Sequence, residues 1–97
     1  MFNLELTASA EDDVRYFRKY EQKMLLDAIE QHLGWEPTTK TRNRKPLRPN
    51  DLSRWELRVS EYRIFYDVDE VTLTVKIKAV GYKEHNQLFI RGKEFQL

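Results

Sequence analysis

The spacing of apolar residues changes period twice along this chain. In "FNLELTA" the residues Phe2, Leu4 and Leu6 alternate with polar ones, which predicts a short first strand. "SAED" follows, with Ser9 three residues before Asp12, a variant of the capping box that opens a helix; acids in its first turn suit the positive end of the helix dipole. Val14, Phe17 and Tyr20 then recur at helical spacing, followed by Met24, Leu25, Ala28, Ile29 and Leu33. The phase slips around Lys19–Glu21, so the segment is either a hairpin of two helices or one bent helix. Gly34 stands where a left-handed cap would end it. Pro37, Pro46 and Pro49 are expected to hold residues 35–50 out of regular structure.

From Leu52 the period becomes 2. In "LSRWELRVS" Trp55, Leu57 and Val59 share a face opposite Arg54, Glu56, Arg58 and Ser60; in "YRIFYDV" Ile64, Tyr66 and Val68 oppose Arg63, Phe65 and Asp67. In "VTLTVKIKAV" Val71, Leu73, Val75, Ile77 and Ala79 oppose Thr72, Thr74, Lys76 and Lys78. Tight connections at Ser60–Glu61 and Asp69–Glu70 make these strands an antiparallel meander. The order of elements predicts a single α+β domain over residues 1–97. A two-helix hairpin packs on one face of an antiparallel sheet of three to four strands, and Leu88–Ile90 is a candidate for the last short one. Trp35 is expected to pack in the core or at the helix cap.

Charge adds what periodicity cannot. The net charge is only +1, yet residues 38–63 carry eight cations and three acids, and residues 1–37 carry four cations and eight acids. "TTKTRNRKPLRPN" alone holds Lys40, Arg42, Arg44, Lys45 and Arg48 with no acid. Such a block repels itself unless an anion sits opposite, which makes it a candidate phosphate-facing surface; a solvated loop is the alternative. The polar sheet face adds Arg54, Arg58, Arg63, Lys76 and Lys78, so the loop is expected to wall a cationic floor. Neither a secretory signal nor an apolar run of the ~20 residues that span a bilayer is present, so the expected compartment is the cytoplasm, with no membrane partner.

The chain has no cysteine, so thiolate metal sites, thiol nucleophiles and disulfides are excluded. His32 and His85 lack neighbours at ligand spacing, and Gly34, Gly81 and Gly92 form no phosphate loop; neither a metal nor another cofactor is expected. Cations, aromatics and a histidine remain. Those suffice for RNA cleavage by the ribose 2′-hydroxyl, which needs a proton acceptor, cations on the phosphoryl oxygens and an acid for the leaving oxygen. His85 is the candidate proton-transfer group, since an ordinary imidazole titrates near pH 6.5.

"WELRVSEYRIFYDVDE" followed by "VKIKAVGYKEHNQLFIRGKEF" resembles the RelE/ParE superfamily of bacterial toxins from type II toxin–antitoxin pairs. Leu57, Arg58, Tyr62, Arg63 and Tyr66 carry its paired-strand motif, and Val80, Gly81 and Lys83 its basic strand end. The leading function that the resemblance implies is a RelE-like, ribosome-dependent endoribonuclease that cuts mRNA without a metal; the alternative is a ParE-like inhibitor of DNA gyrase without the nuclease set. In the first case Arg54, Arg58 and Arg63 would clamp phosphates, Lys83 would assist and His85 would move protons. Lys40, Arg42, Arg44, Lys45 and Arg48, with Lys76 and Lys78, would hold ribosomal RNA and mRNA. Glu56 stands where the nucleases have a lysine, and Phe89 where some have a tyrosine base; both departures motivate the alternative, which includes a toxin that only binds its antitoxin. Either way the resemblance implies a cognate antitoxin, expected to be acidic and partly disordered.

Overall fold

A computed structural model describes residues 1–97. Its order is β1 (Asn3–Leu6), α1 (Ala8–Arg15), α2 (Lys19–Leu33), β2 (Arg44–Pro46), β3 (Trp55–Val59), β4 (Tyr62–Asp69), β5 (Thr74–Glu84), β6 (Gln87–Ile90) and β7 (Lys93–Phe95). The phase slip marks two helices, with Tyr16–Arg18 as the break. Thr7, not Ser9, caps the first: its Oγ1 accepts from the Ala10 N–H at 3.1 Å. Gly34 ends α2 with a right-handed φ of −69°, so the expected left-handed cap is absent. Its carbonyl instead accepts from the Phe2 N–H and ties the helix end to the chain start. Neither helix is long and apolar enough to cross a membrane.

The sheet has seven strands in the order β2-β3-β4-β5-β6-β7, all antiparallel, with β1 parallel to β5. It is wider than expected for two reasons. Arg44–Pro46 pair with Trp55–Leu57 inside the segment that the prolines were expected to keep irregular, since Pro46 sits on the outermost strand, where no N–H is needed. The tail folds into the β6–β7 hairpin, its turns at His85–Asn86 and Arg91–Gly92 held by residues with positive φ. The Ser60–Glu61 turn is as expected. The next one is longer: Val71 and Leu73 leave the strand, and Asp69 Oδ1 closes the loop by accepting from the Val71 and Thr72 N–H groups.

One side of the sheet carries the main core, where Leu57, Ile64, Tyr66, Val75, Ile77 and Val80 meet Ala10, Val14, Phe17, Leu25, Ile29 and Leu33 of the helices. Strand alternation accounts for most of this, but Ala79 lies on the other side. Phe65 pairs with Ala79 while Tyr66 pairs with Ile77, so Lys78 is an extra residue in β5, and this bulge shifts the phase of everything after it. A second small core follows on the face expected to be open and polar. Phe65, Ala79 and Leu88 are buried there under Leu47, Leu52, Ile90 and Phe95. The proline-rich loop and the C-terminal hairpin thus roof part of that face.

β5 has a further constraint at its outer edge. β1 pairs with Thr74–Ile77 and β6 with Tyr82–Glu84, which leaves a gap between them. Side chains of α1 and its N-cap fill it. Asp13 Oδ2 accepts from the Val80 N–H at 2.9 Å, and Thr7 Oγ1 reaches the Lys78 carbonyl. Asp13 is 1% exposed, and burial pushes its carboxyl above the usual range. Arg91 Nε lies 3.0 Å from its other oxygen and fastens the tail hairpin to α1.

Candidate functional site

β3 and β4 run side by side with Arg58 directly opposite Arg63, so their side chains rise from the same face, away from the helices. Two like charges at that spacing repel. Glu56, one pleat earlier on the same face, answers both: its Oε2 lies 3.3 Å from Arg58 Nε and 3.8 Å from Arg63 Nε. Glu56 is 3% exposed, while the Arg63 side chain is 14% and that of Arg58 41% exposed. Arg63 bends back over the turn, its Nη1 donating to the Ser60 and Tyr62 carbonyls at 2.9 and 2.8 Å. Its buried Nε finds no hydrogen-bond acceptor. Desolvation lowers the pKa of this guanidinium from its ordinary value.

Arg54 stands on the same face but at the other end of β3, roughly 13 Å away by strand rise. It is exposed, and its N–H donates to Asp67 Oδ1 at 2.7 Å. Lys78, brought to this end by the bulge, lies 4.0 Å from the other Asp67 oxygen. With Arg48 they border a groove of about 690 Å³ whose loop wall is organised by Asn50, which bonds Arg48, Leu52 and Ser53. The expected single cationic floor is therefore two separate sites, divided by the buried Phe65 of β4: an open groove at Arg48, Arg54 and Lys78, and a self-neutralised pair at Arg58 and Arg63.

The other sequence candidates divide similarly. Lys40, Arg42, Lys45 and Lys76 are exposed. Arg44 is withdrawn from the expected RNA surface. Its partner in the ladder is Leu57, which puts it on the helix-covered side, and it donates to the His32 carbonyl at 2.7 Å and the Thr39 carbonyl at 3.0 Å. It is a tie between α2 and β2. His85 sits at the exposed tip of the β5–β6 hairpin with φ +52°, four residues beyond the Gly81 that pairs with Arg63, again roughly 13 Å along the strand. Phe89 is paired with Tyr82 and stacked on its ring at 5.5 Å, which turns it to the helix-covered face. Lys83 is half-buried, its N–H donating to the Glu61 carbonyl. No three histidine, aspartate or glutamate side chains converge as metal ligands do. Trp35, expected to be packed, is 62% exposed.

Periodicity gave no sign of an aromatic cleft of about 510 Å³ lined by Tyr16, Phe17, Tyr62 and Tyr82, with Glu21 and Lys83 at its rim. Tyr82 is sandwiched between Tyr16 and Phe89. Tyr62 donates its hydroxyl proton to Glu21 in a short hydrogen bond, which raises the phenol pKa and holds the carboxyl below its usual range. Tyrosines at 16, 62 and 82 were visible in the sequence, but only the tertiary fold brings them together.

A family model for the ParE toxin of type II toxin–antitoxin systems, parDE, matches residues 4–86. No curated protein matches the chain. Among solved structures, the RelBE2 toxin–antitoxin complex of Mycobacterium tuberculosis aligns with TM-score 0.72 at 24% identity, over 84% of this chain and 98% of the other. The archaeal RelE–RelB complex of Pyrococcus horikoshii gives 0.69 at 17% identity, over 87% and 97%. The isolated E. coli RelE toxin gives 0.67 at 20%, over 88% and 87%. These likenesses share the fold of two helices on an antiparallel sheet, and the family match spans nearly the whole domain. The chain belongs to the ParE toxin family of type II toxin–antitoxin systems.

Proposed function

We propose that this toxin arrests growth by binding its target rather than by cutting RNA, with DNA gyrase the target that ParE-like members of the superfamily imply. The observation that carries this reading is the lack of a free proton-transfer group at the arginine pair. His85 is on a hairpin tip, Phe89 has no exchangeable proton and faces the helices, and the carboxylate in contact with both guanidiniums, Glu56, is buried between them. Transesterification needs a base and an acid within hydrogen-bond reach of the reacting oxygens. A cognate antitoxin is the expected partner, in the cytoplasm.

The ribosome-dependent nuclease is the second reading. The open groove at Arg48, Arg54 and Lys78, beside Lys40, Arg42, Lys45 and Lys76, favours it, because exposed cations on an ordered loop suit rRNA and mRNA phosphates. Purified toxin added to a translating extract, with mRNA ends mapped by primer extension, and to a gyrase supercoiling reaction separates the two. Intact mRNA with blocked supercoiling is the expected result. Codon-spaced cuts would overturn it.

A further inference from the structure

We infer that Glu56 is a resident anion filling a latent phosphate site, so that Arg58 and Arg63 are built for a phosphoryl group which this chain's own carboxylate excludes. The inference rests on the geometry that supports the non-nucleolytic reading, and it assigns the exclusion of RNA to one side chain.

Two facing arginines on a sheet are costly to fold without an intervening anion, and a carboxylate and a phosphate offer them the same bidentate oxygens. Glu56 supplies those oxygens imperfectly. Arg58 Nε is bonded at 3.3 Å, but Arg63 Nε stays at 3.8 Å, buried and without an acceptor. Arg63 is nonetheless held rigidly by the Ser60 and Tyr62 carbonyls, and Arg58 remains partly open to solvent. The site therefore keeps a fixed donor, a solvent-facing donor and one under-satisfied N–H. What it lacks for an incoming phosphate is room and net charge. A small neutral residue at 56 would restore both: Arg58 would face solvent, with the less exposed Arg63 beside it and no carboxylate in contact with either.

Glu56→Ala removes both the charge and the side chain that fills the site. Fluorescence anisotropy with a short single-stranded RNA should show the variant binding about tenfold or more tightly than wild type at low salt. The log–log salt slope should steepen by about one to two, as expected for one or two added phosphate contacts. Adding Arg58→Ala to the variant should return both to the wild-type values. If unpaired arginines destabilise Glu56→Ala, millimolar inorganic phosphate should raise its thermal midpoint and leave that of wild type unchanged. Equal RNA affinity and equal response to phosphate in both proteins would overturn the inference. This outcome is separable from failure of the functional reading, which shows as RNA cuts by wild type.

Discussion

At the scale of single residues, close packing explains the glycine at position 81 of the basic strand end. A Cβ there would lie 2.4 Å from the Phe89 carbonyl oxygen and 3.0 Å from Ile90, too close for any side chain unless β6 moves. Gly81→Ala should therefore cost about 1–3 kcal/mol, measured by urea unfolding, as overpacking of a rigid backbone contact does. Tyr62 illustrates a charge-dependent bond. Its hydrogen bond lowers the Glu21 pKa, so the stabilisation is present above the ordinary value of 4.5 and is lost as pH falls through the lowered value. Tyr62→Phe should cost about 1 kcal/mol near neutral pH, after allowance for partial exposure, and that cost should shrink below pH 4.5. A deficit unchanged down to pH 2 would show that packing, not the carboxylate, sets it. Neither effect was legible beforehand, because each depends on a contact made only when the elements pack. The outward alternation of Arg54, Arg58 and Arg63 was legible, since it depends only on strand period. That a buried Glu56 would neutralise two of them was not, since its burial depends on the folded neighbours.

At the scale of elements, the meander, its first turn and the two helices follow from local period and turn chemistry, and the structure agrees with them. The departures all arise where one element constrains another. A bulge at Lys78 transfers Ala79 to the second core, although the sequence alternates without a break. Short β2 exists because Arg44 and Asn43 are tied to neighbours: the Arg58 N–H donates to the Asn43 carbonyl, and Asn43 Nδ2 to the Arg58 carbonyl. The gap at the outer edge of β5 is the clearest case. β1 and β6 end too soon to cover Val80, and α1 supplies the missing acceptor through Asp13. Asp13→Ala would leave that buried N–H unpaired and Arg91 without its counter-ion, so a loss of about 1–3 kcal/mol is expected. Hydrogen exchange offers the sharper test: the Val80 amide should lose protection far more than those of Ile64 or Val75. Uniform loss along β5 would mean that Asp13 only adds to global stability.

At the scale of the whole molecule, the domain is a sheet with cores on both faces, and the two are unequal. The helices cover the larger; the loop through Leu47 and Leu52 and the last hairpin cover the smaller. A chain of 97 residues has little stability in reserve, of the order of 5–15 kcal/mol, so the minor core matters. It also anchors the arginine-bearing surface, because Phe65 lies between the open groove at Arg54 and the closed pair at Arg58 and Arg63. Removing residues 91–97 would delete Phe95 from the minor core and Arg91 from Asp13. Half-burial of one phenylalanine is worth about 1–1.5 kcal/mol. With a buried carboxylate also left unpaired, the truncated chain should lose several kcal/mol in urea while keeping helical circular dichroism. Arg91→Ala separates the contributions, since it breaks the ion pair and leaves Phe95 in place. If truncation and Arg91→Ala cost the same, the hairpin acts only as a tether for α1. If truncation costs more and also lowers the urea m-value, the hairpin is an integral roof, and the groove at Arg48, Arg54 and Lys78 is expected to lose its fixed shape with it.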